Sequence, residues 1–373
     1  MTAQLVALDL PGGPGFVAAL RRVWDDGDAA LPVDPRLPTP AKAALLATMA
    51  PGRIVDERAS TDLAGARPIE AGDALVVPTS GSTGESKGAV LTHDALDASA
   101  HATNTRLSVN DDDHWLACLP LAHIGGLSVV VRAMRSGTAL TVHSSFDPAT
   151  VMASGATLVS LVATALARID PAAFRIVLLG GAAPPARLPS NVIATYGMTE
   201  TGSGVVYDGV PLDGVDVRIA PDGEILLRGP MLLRAYRDGT DPRRDGWFPT
   251  GDVGRWLDDG RLHVDGRRGD LIITGGENVW PEPVERVLRQ LPSIADVAVA
   301  GSPDPEWGQA VTAYVVASGL PPSLDELRGA VKAELPAYCA PRHVVLVDEI
   351  PRTSIGKVAR HYLKRTPAPP SIE

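Results

Sequence analysis

Short apolar runs recur along the first two-thirds of the chain, separated by stretches whose apolar residues fall three or four positions apart. The runs Ala74–Pro78, Trp115–Leu119, Ala139–Val142, Leu158–Ser160, Ile176–Leu179 and Val192–Thr195 read as buried strands. The alanine-rich stretches Asp94–Thr105 and Ser160–Ile169 read as helices. This alternation predicts an α/β fold in which sheets are covered by helices. From Val215 the pattern shortens. Val215–Ile219, the turn Pro221-Asp222-Gly223 and Glu224–Arg228 predict a hairpin in a β-rich subdomain. Beyond Arg267-Arg268-Gly269-Asp270 it changes again. Helices over Pro283–Leu291 and Leu324–Leu335, with strands at Asp296–Ala300, Val311–Val316 and His343–Val347, predict a compact α+β unit. The chain therefore divides into a large domain, 1–268, and a small one, 269–373, as its length also favours. The 78 residues before Thr79 are broken by Pro and Gly and leave little room for a complete subdomain. The Pro-rich end, Pro367 to Glu373, reads as a disordered tail.

Composition narrows the partners. The chain carries a formal net charge of −10, which argues against nucleic acid and anionic membrane surfaces, so an anionic ligand must be met by local donors. Only 4% of residues are aromatic, and the core must rest on Ala, Val and Leu. Cys118 and Cys339 lie far apart with no metal or redox spacing, which fits a reduced, cytoplasmic chain. The N-terminus lacks a basic start before an apolar stretch, so no signal peptide is evident. No apolar run reaches the length of a membrane span, and even Leu127 to Met134 is broken by Arg132.

Chemistry concentrates in three places. Thr79-Ser80-Gly81-Ser82-Thr83-Gly84-Glu85-Ser86-Lys87-Gly88 follows an apolar strand and precedes a helical start at Thr92-His93-Asp94. Its glycines let backbone N–H groups turn inward, and its hydroxyls and Lys87 add donors suited to a polyphosphate. It is not a Walker A loop, because Gly84 is not followed by Gly-Lys-Ser/Thr. The second place, Tyr196-Gly197-Met198-Thr199-Glu200-Thr201-Gly202, sits at the C-terminal end of a strand, where α/β sheets bind ligands. There a ring can stack on a base and a carboxylate can hold Mg²⁺, although an isolated Thr-Glu is also an ordinary helix start. Third, Gly180-Gly181-Ala182-Ala183 and Pro249-Thr250-Gly251-Asp252 offer a flat approach to backbone and a fixed carboxylate, or simply tight turns.

In their order along the chain, and with Leu119-Pro120-Leu121-Ala122-His123, Gly266-Arg267 with Gly275-Gly276-Glu277-Asn278, and Pro351-Arg352-Thr353-Ser354-Ile355-Gly356-Lys357, the motifs resemble the adenylate-forming superfamily. That superfamily includes acyl- and aryl-CoA ligases, luciferases and peptide-synthetase adenylation domains, and the resemblance runs from about Leu75 to Lys364. The wording Pro-Leu-Ala-His-Ile-Gly-Gly-Leu and Gly-Gly-Glu-Asn-Val-Trp-Pro is most similar to the o-succinylbenzoate–CoA ligases of menaquinone synthesis, in their short actinobacterial form.

The resemblance implies a large domain followed by a small mobile one, with ATP, Mg²⁺ and coenzyme A as reactants or cofactor. Thr79, Ser80, Gly81, Ser82, Thr83, Gly84 and Lys87 would hold the β- and γ-phosphates. Gly181, Ala182 and Ala183 would sandwich adenine against Tyr196, with Gly197 and Met198 beside it. Thr199 would touch the α-phosphate, Glu200 would bind Mg²⁺, and Asp252 and Arg267 would hold the ribose. His123 and Gly126 would line the acyl pocket, and Ser203 would meet the carboxylate that does not react. Lys357 would reach the reacting groups during adenylation. Gly269 would be the pivot, and Gly275 and Gly276 would serve the coenzyme A step.

Two departures stand out: a short N-terminal region and Glu85-Ser86 where a proline often precedes the lysine. A truncated sheet would favour self-association into a homodimer. The implied partners are a small carboxylic acid, ATP and coenzyme A, without nucleic acid or membrane insertion. Rival readings are a ligase for another aryl or medium-chain acid, a carrier-protein-loading enzyme and a non-catalytic nucleotide-binding scaffold.

Overall fold

The computed structural model describes residues 3–80, 86–185, 187–352 and 358–363. It divides into two compact units: Met1–Arg218 with Leu226–Pro249 and Asp258–Leu262, and Ile219–Ile225 with Thr250–Leu257 and His263–Glu373.

The first unit holds two seven-stranded sheets. One runs in the order Ala235–Tyr236, Ser86–Thr92, Asp73–Ser80, Ala29–Pro32, Leu5–Asp9, Arg53–Asp56, Ser60–Asp62. More than half of its strands come from the Pro/Gly-broken stretch that suggested little room for a subdomain. The short strands Leu5–Asp9 and Ala29–Pro32 pair in parallel, and helices Pro14–Asp25 and Thr39–Met49 follow them. The breakers sit between these elements: Gly13 precedes the first helix, which opens on Pro14. Leu5, Leu31, Met49 and Val76 are fully buried together, and each such side chain contributes about 1.5–3 kcal/mol relative to exposure. Arg237 binds this region from far along the chain. Its buried guanidinium donates to the carbonyls of Met49 (3.0 Å), Pro68 (2.7 Å) and Arg67. Burial, with Arg67 adding to it, pushes Arg237 down to about 10.

The other sheet runs Val210–Pro211, Ser203–Tyr207, Val192–Met198, Ile176–Leu179, Leu158–Leu161, His114–Ala117, Ala139–Val142. Its centre is parallel, as the alternation of strands and helices predicts. Ser160–Ile169 departs from expectation. The strand continues through Leu161, and only Ala163–Leu166 is α-helical. Leu158, Val159, Ser160 and Leu161 are all buried, and a short run that is apolar on both faces carries no period to separate strand from helix.

The hairpin Asp216–Ile219 to Glu224–Arg228 closes as expected, with Gly223 donating to the Ala220 carbonyl at 2.8 Å, and strands Phe248–Trp256 and Leu262–Arg267 follow it. In the second unit, Glu277–Val279, Ile272–Thr274, Gly308–Ala317 and Ile294–Asp304 lie side by side, and His343–Leu346 pairs with Gly308–Ala317. Helices Pro281–Leu288 and Leu324–Glu334 bury Val284, Leu288, Leu327 and Val331 with Val297, Val299, Val311 and Val315 of these strands. Among the described residues no helix is long and apolar enough to cross a membrane.

Candidate functional site

The Ser/Thr/Gly segment joins two antiparallel strands. Thr79 lies opposite Lys87, and the Thr79 hydroxyl donates to the Lys87 carbonyl at 3.2 Å. Gly81, Ser82, Thr83, Gly84 and Lys357 lie outside the described residues. The strand Ser86–Thr92 separates the segment from the helix His93–Arg106, which Thr92 caps through the Ala95 N–H. A Walker loop instead leads straight into its helix, so the geometry supports the distinction drawn from the spacing.

Lys87 places its Nζ 5.0 Å from the ring centre of Tyr236, and the Tyr236 hydroxyl donates to Glu200 Oε1 at 3.1 Å. Cation, ring and carboxylate therefore form a row. Glu200 occupies the 3₁₀ turn Thr199–Thr201, and two contacts fix that turn. The Leu233 N–H donates to the Glu200 carbonyl at 2.7 Å, while buried Thr201 donates to the Ser203 carbonyl at 2.6 Å. Tyr196, Gly197, Met198 and Thr199 are half-buried, so they stay accessible to a ligand. At Gly197 a Cβ would strike the Ser203 backbone, which explains glycine where the strand register shifts. Gly181, Ala182 and Ala183 are exposed just beyond Ile176–Leu179, the strand beside Val192–Met198. The Thr195 hydroxyl ties the two strand ends through the Leu179 carbonyl at 3.1 Å.

His123 stands at the N-cap of the helix Ile124–Ser136. Burial holds its imidazole below the usual range; the Asp34 carboxylate opposes that shift and Arg36 adds to it. Asp34 is buried and paired with Arg36 at 2.7 Å, an arrangement that ordering by motif did not reveal. A Cβ on Gly126 would come within 2.5 Å of the Leu119 carbonyl oxygen, so glycine lets the helix approach Leu119-Pro120.

Further along the same helix, Arg132 is 3% exposed. Its guanidinium donates to the hydroxyls of Ser203 and, at 3.4 Å, Ser160, and it lies 5.5 Å from the Trp115 ring centre. Its Nε has no hydrogen-bond partner among the described residues, and burial lowers its pKa. With Ser99, Ser128 and Gly202 it lines a narrow crevice. Sequence reasoning noted Arg132 only as a break in an apolar run, yet a charge in such a run was itself the signal.

In the second unit, Asp252 is 5% exposed and meets Arg267 Nε at 2.7 Å. The Asp252 N–H bonds the Thr250 hydroxyl at 3.0 Å, and that hydroxyl donates to the Ile225 carbonyl at 2.8 Å. Asp252 thus lies within the strand Phe248–Trp256 and not on the tight turn that its Gly- and Pro-containing motif suggested, because Phe248–Trp256 is hydrogen-bonded as a strand through the motif. Gly269 lies in the turn Arg268–Asp270, where a Cβ would meet nothing within 4 Å. Gly275 has φ +59° and faces the Trp307 ring, which a side chain there would strike; Gly276 has φ +86°. Cys118 is buried, which pushes its thiol up to about 12 and leaves it a poor nucleophile.

Two family descriptions match the chain in order: AMP-binding enzyme over residues 53–237, and AMP-binding enzyme C-terminal domain over residues 283–357. The chain belongs to the AMP-binding enzyme family, and is an AMP-forming acid–CoA ligase by class. Within the family it is similar to a probable 2-succinylbenzoate–CoA ligase of Mycobacterium tuberculosis, with 39% identity covering 96% of this chain and 97% of that one. A 2-succinylbenzoate–CoA ligase of Bacillus licheniformis is 36% identical over 78% of this chain and 69% of its own. Among solved structures, the o-succinylbenzoate CoA synthetase of Bacillus subtilis with the acyl-adenylate OSB-AMP superimposes with a TM-score of 0.87 at 29% identity, covering 97% of this chain and 88% of that one. The same Bacillus subtilis enzyme with ATP and magnesium gives a TM-score of 0.86 at 29% identity, covering 97% and 90%.

Proposed function

We propose that this chain converts 2-succinylbenzoate, ATP and coenzyme A into 2-succinylbenzoyl-CoA, AMP and pyrophosphate, in the cytoplasm and for menaquinone synthesis. The observation that carries the substrate is Arg132. A buried guanidinium with serine hydroxyls and no carboxylate partner among the described residues suits an acid with a second carboxylate, which would complete the pair when bound. Ser203 shares that guanidinium, which fits its expected role toward the group that does not react.

In the first step a carboxylate oxygen of the acid attacks the α-phosphorus and pyrophosphate leaves. In the second the thiol sulfur of coenzyme A attacks the acyl carbon and AMP leaves. Lys87 and the hydroxyls of the loop would hold the outgoing phosphates, and Lys357 would offset charge building at the α-phosphate. Asp252 and Arg267 would fix the ribose. Gly181 and Tyr196, at the ends of neighbouring strands, would hold the adenine. His123, kept neutral by its burial, would donate a hydrogen bond near the substrate carboxylate. Glu200 fits a magnesium ion delivered with ATP. The described residues hold no cluster of three or more metal-ligating side chains, and Mg²⁺ is commonly held by one or two carboxylates plus substrate phosphates. That ion would neutralise phosphate charge, and the Tyr236 hydroxyl would keep the Glu200 carboxylate oriented. We place the moving boundary at 268/269, with Gly269 as pivot, and assign Gly275 and Gly276 to the coenzyme A step.

A pyrophosphate-release assay over carboxylic acids, with and without coenzyme A, tests the reading. The diacid should exceed 4-oxo-4-phenylbutanoate, which lacks the ring carboxylate, by on the order of 10²-fold or more, because a site built to hydrogen-bond a group rejects analogues without it. Equal turnover of the two would refute the substrate. Transfer to a phosphopantetheinyl protein in preference to coenzyme A would refute the acceptor.

A further inference from the structure

Arg360 opens the short helix Arg360–Leu363, three residues past Lys357. Its side chain is only 9% exposed, and its guanidinium gathers partners from three separate segments. Nε donates to the Val299 carbonyl at 3.1 Å, and Nη2 lies 2.7 Å from Glu285 and 3.3 Å from Glu282 on the helix Pro281–Leu288. Nη1 reaches Asp270 at 3.2 Å, the residue after Gly269 in the turn Arg268–Asp270. Glu285 is itself held, by the Val299 N–H at 2.9 Å and by Arg289 at 3.0 Å. Glu282 Oε2 is buried without a hydrogen-bond partner among the described residues. Three carboxylates on one guanidinium exceed what holding a four-residue helix requires. The Asp270 arm is also the one that ties two stretches ninety positions apart in sequence.

We propose that Asp270 and Arg360 are positioning residues for adenylation: their ion pair fastens the helix Arg360–Leu363, which starts three residues after Lys357 in sequence, to the pivot turn, so that this helix and the turn move as one body. This rests on the reading in which Lys357 serves adenylation and Gly269 is the pivot. A strut of this kind matters for one half-reaction only. Displacing a transition-state charge by about 1 Å can cost on the order of 10²-fold in rate, whereas the thioester step does not use that lysine.

The test measures both half-reactions in the full-length enzyme, adenylation by pyrophosphate release and thioester formation from preformed acyl-adenylate. Asp270 has a side chain 25% exposed, so its replacement is milder than loss of Arg360. Asp270→Ala should slow adenylation roughly 10–100-fold through kcat, with the KM for ATP within about twofold and thioester formation within about twofold. Asp270→Asn keeps the shape, and should show the same split at smaller size even if the alanine variant folds poorly. Asp270→Glu should recover part of the rate. Unchanged adenylation in both variants, or an equal fall in both half-reactions, overturns the proposal. A Lys357→Ala arm separates failure of the underlying reading. If that variant slows both halves equally, the lysine assignment falls and the strut falls with it; if it abolishes adenylation alone, the Asp270 results stand on their own.

Discussion

Replacing Arg132 by methionine should uncouple stability from activity, because the side chain buries a charge that no carboxylate among the described residues meets. The guanidinium is 3% exposed and donates to two serine hydroxyls. Burying an ion carries an effective penalty of several kcal/mol, and hydrogen bonds of this kind return about 0.5–3 kcal/mol each. Methionine has similar reach, fills irregular space and makes favourable contacts with an aromatic ring such as Trp115. Unliganded Arg132→Met should therefore be as stable as the parent or more so, by up to about 2 kcal/mol; a 1 kcal/mol gain in a unit of this size raises Tm by about 2–4 °C. The bound diacid reverses the sign. Removing one partner of a buried charge pair costs about 3–5 kcal/mol, which is about 10²–10⁴ in kcat/KM at 1.4 kcal/mol per decade. Thermal melting without ligand, and kcat/KM for 2-succinylbenzoate and 4-oxo-4-phenylbutanoate, measure both sides. The diacid should lose its advantage while the monoacid rate changes little. A Tm drop of several degrees, or an equal loss on the two acids, would make Arg132 a structural residue and remove the argument.

Glu200→Gln should raise the magnesium concentration needed for half-maximal adenylation without lowering Tm, and Tyr236→Phe should give a smaller shift, about fivefold for a hydrogen bond of about 1 kcal/mol. A loss of thermal stability with an unchanged metal titration would make the carboxylate a cap. For His123, burial depresses the folded pKa, so the unfolded chain binds the extra proton first. Its contribution to stability is intact above the ordinary value of about 6.5 and is lost as pH falls below that value toward the folded pKa. Adenylation should accordingly hold its rate through pH 6.5, and His123→Gln should abolish the acid-side fall seen below it; an acid limb unchanged in that variant counts against the role. Gly269→Pro fixes φ near −65° and should leave acyl-adenylate accumulating while thioester formation falls by orders of magnitude, as single-turnover measurement of each step would register. A folded variant with both rates near those of the parent would take Gly269 out of the mechanism.

Local pattern was enough wherever an element's limits are set by its own residues. Ile176–Leu179 is four apolar residues bounded by Arg175 and Gly180, and Glu224–Arg228 follows a turn of Pro, Asp and Gly; both strands have the limits that their neighbours imply. The site motifs were readable for the same reason. Thr199 and Glu200 are placed by the strand Val192–Met198, which they follow and which ends with Tyr196, Gly197 and Met198, and Asp252 by its bond to the Thr250 hydroxyl two residues back in its own strand. What the chain alone left hidden depends on distant partners. The four-residue strand Ala29–Pro32 is held by Leu5–Asp9 on one side and Asp73–Ser80 on the other, so its Pro-broken surroundings concealed a full sheet. Ser160 reads equally well in a helix until burial on both faces commits it to a strand. Asp34 beside His123, Arg132 against Ser203 and Arg360 against Asp270 bridge separations that no period or spacing encodes. A run of residues specifies its own backbone preference and turn chemistry, but the free energy of a buried charge depends on which groups the fold brings to it, and tertiary structure alone decides that.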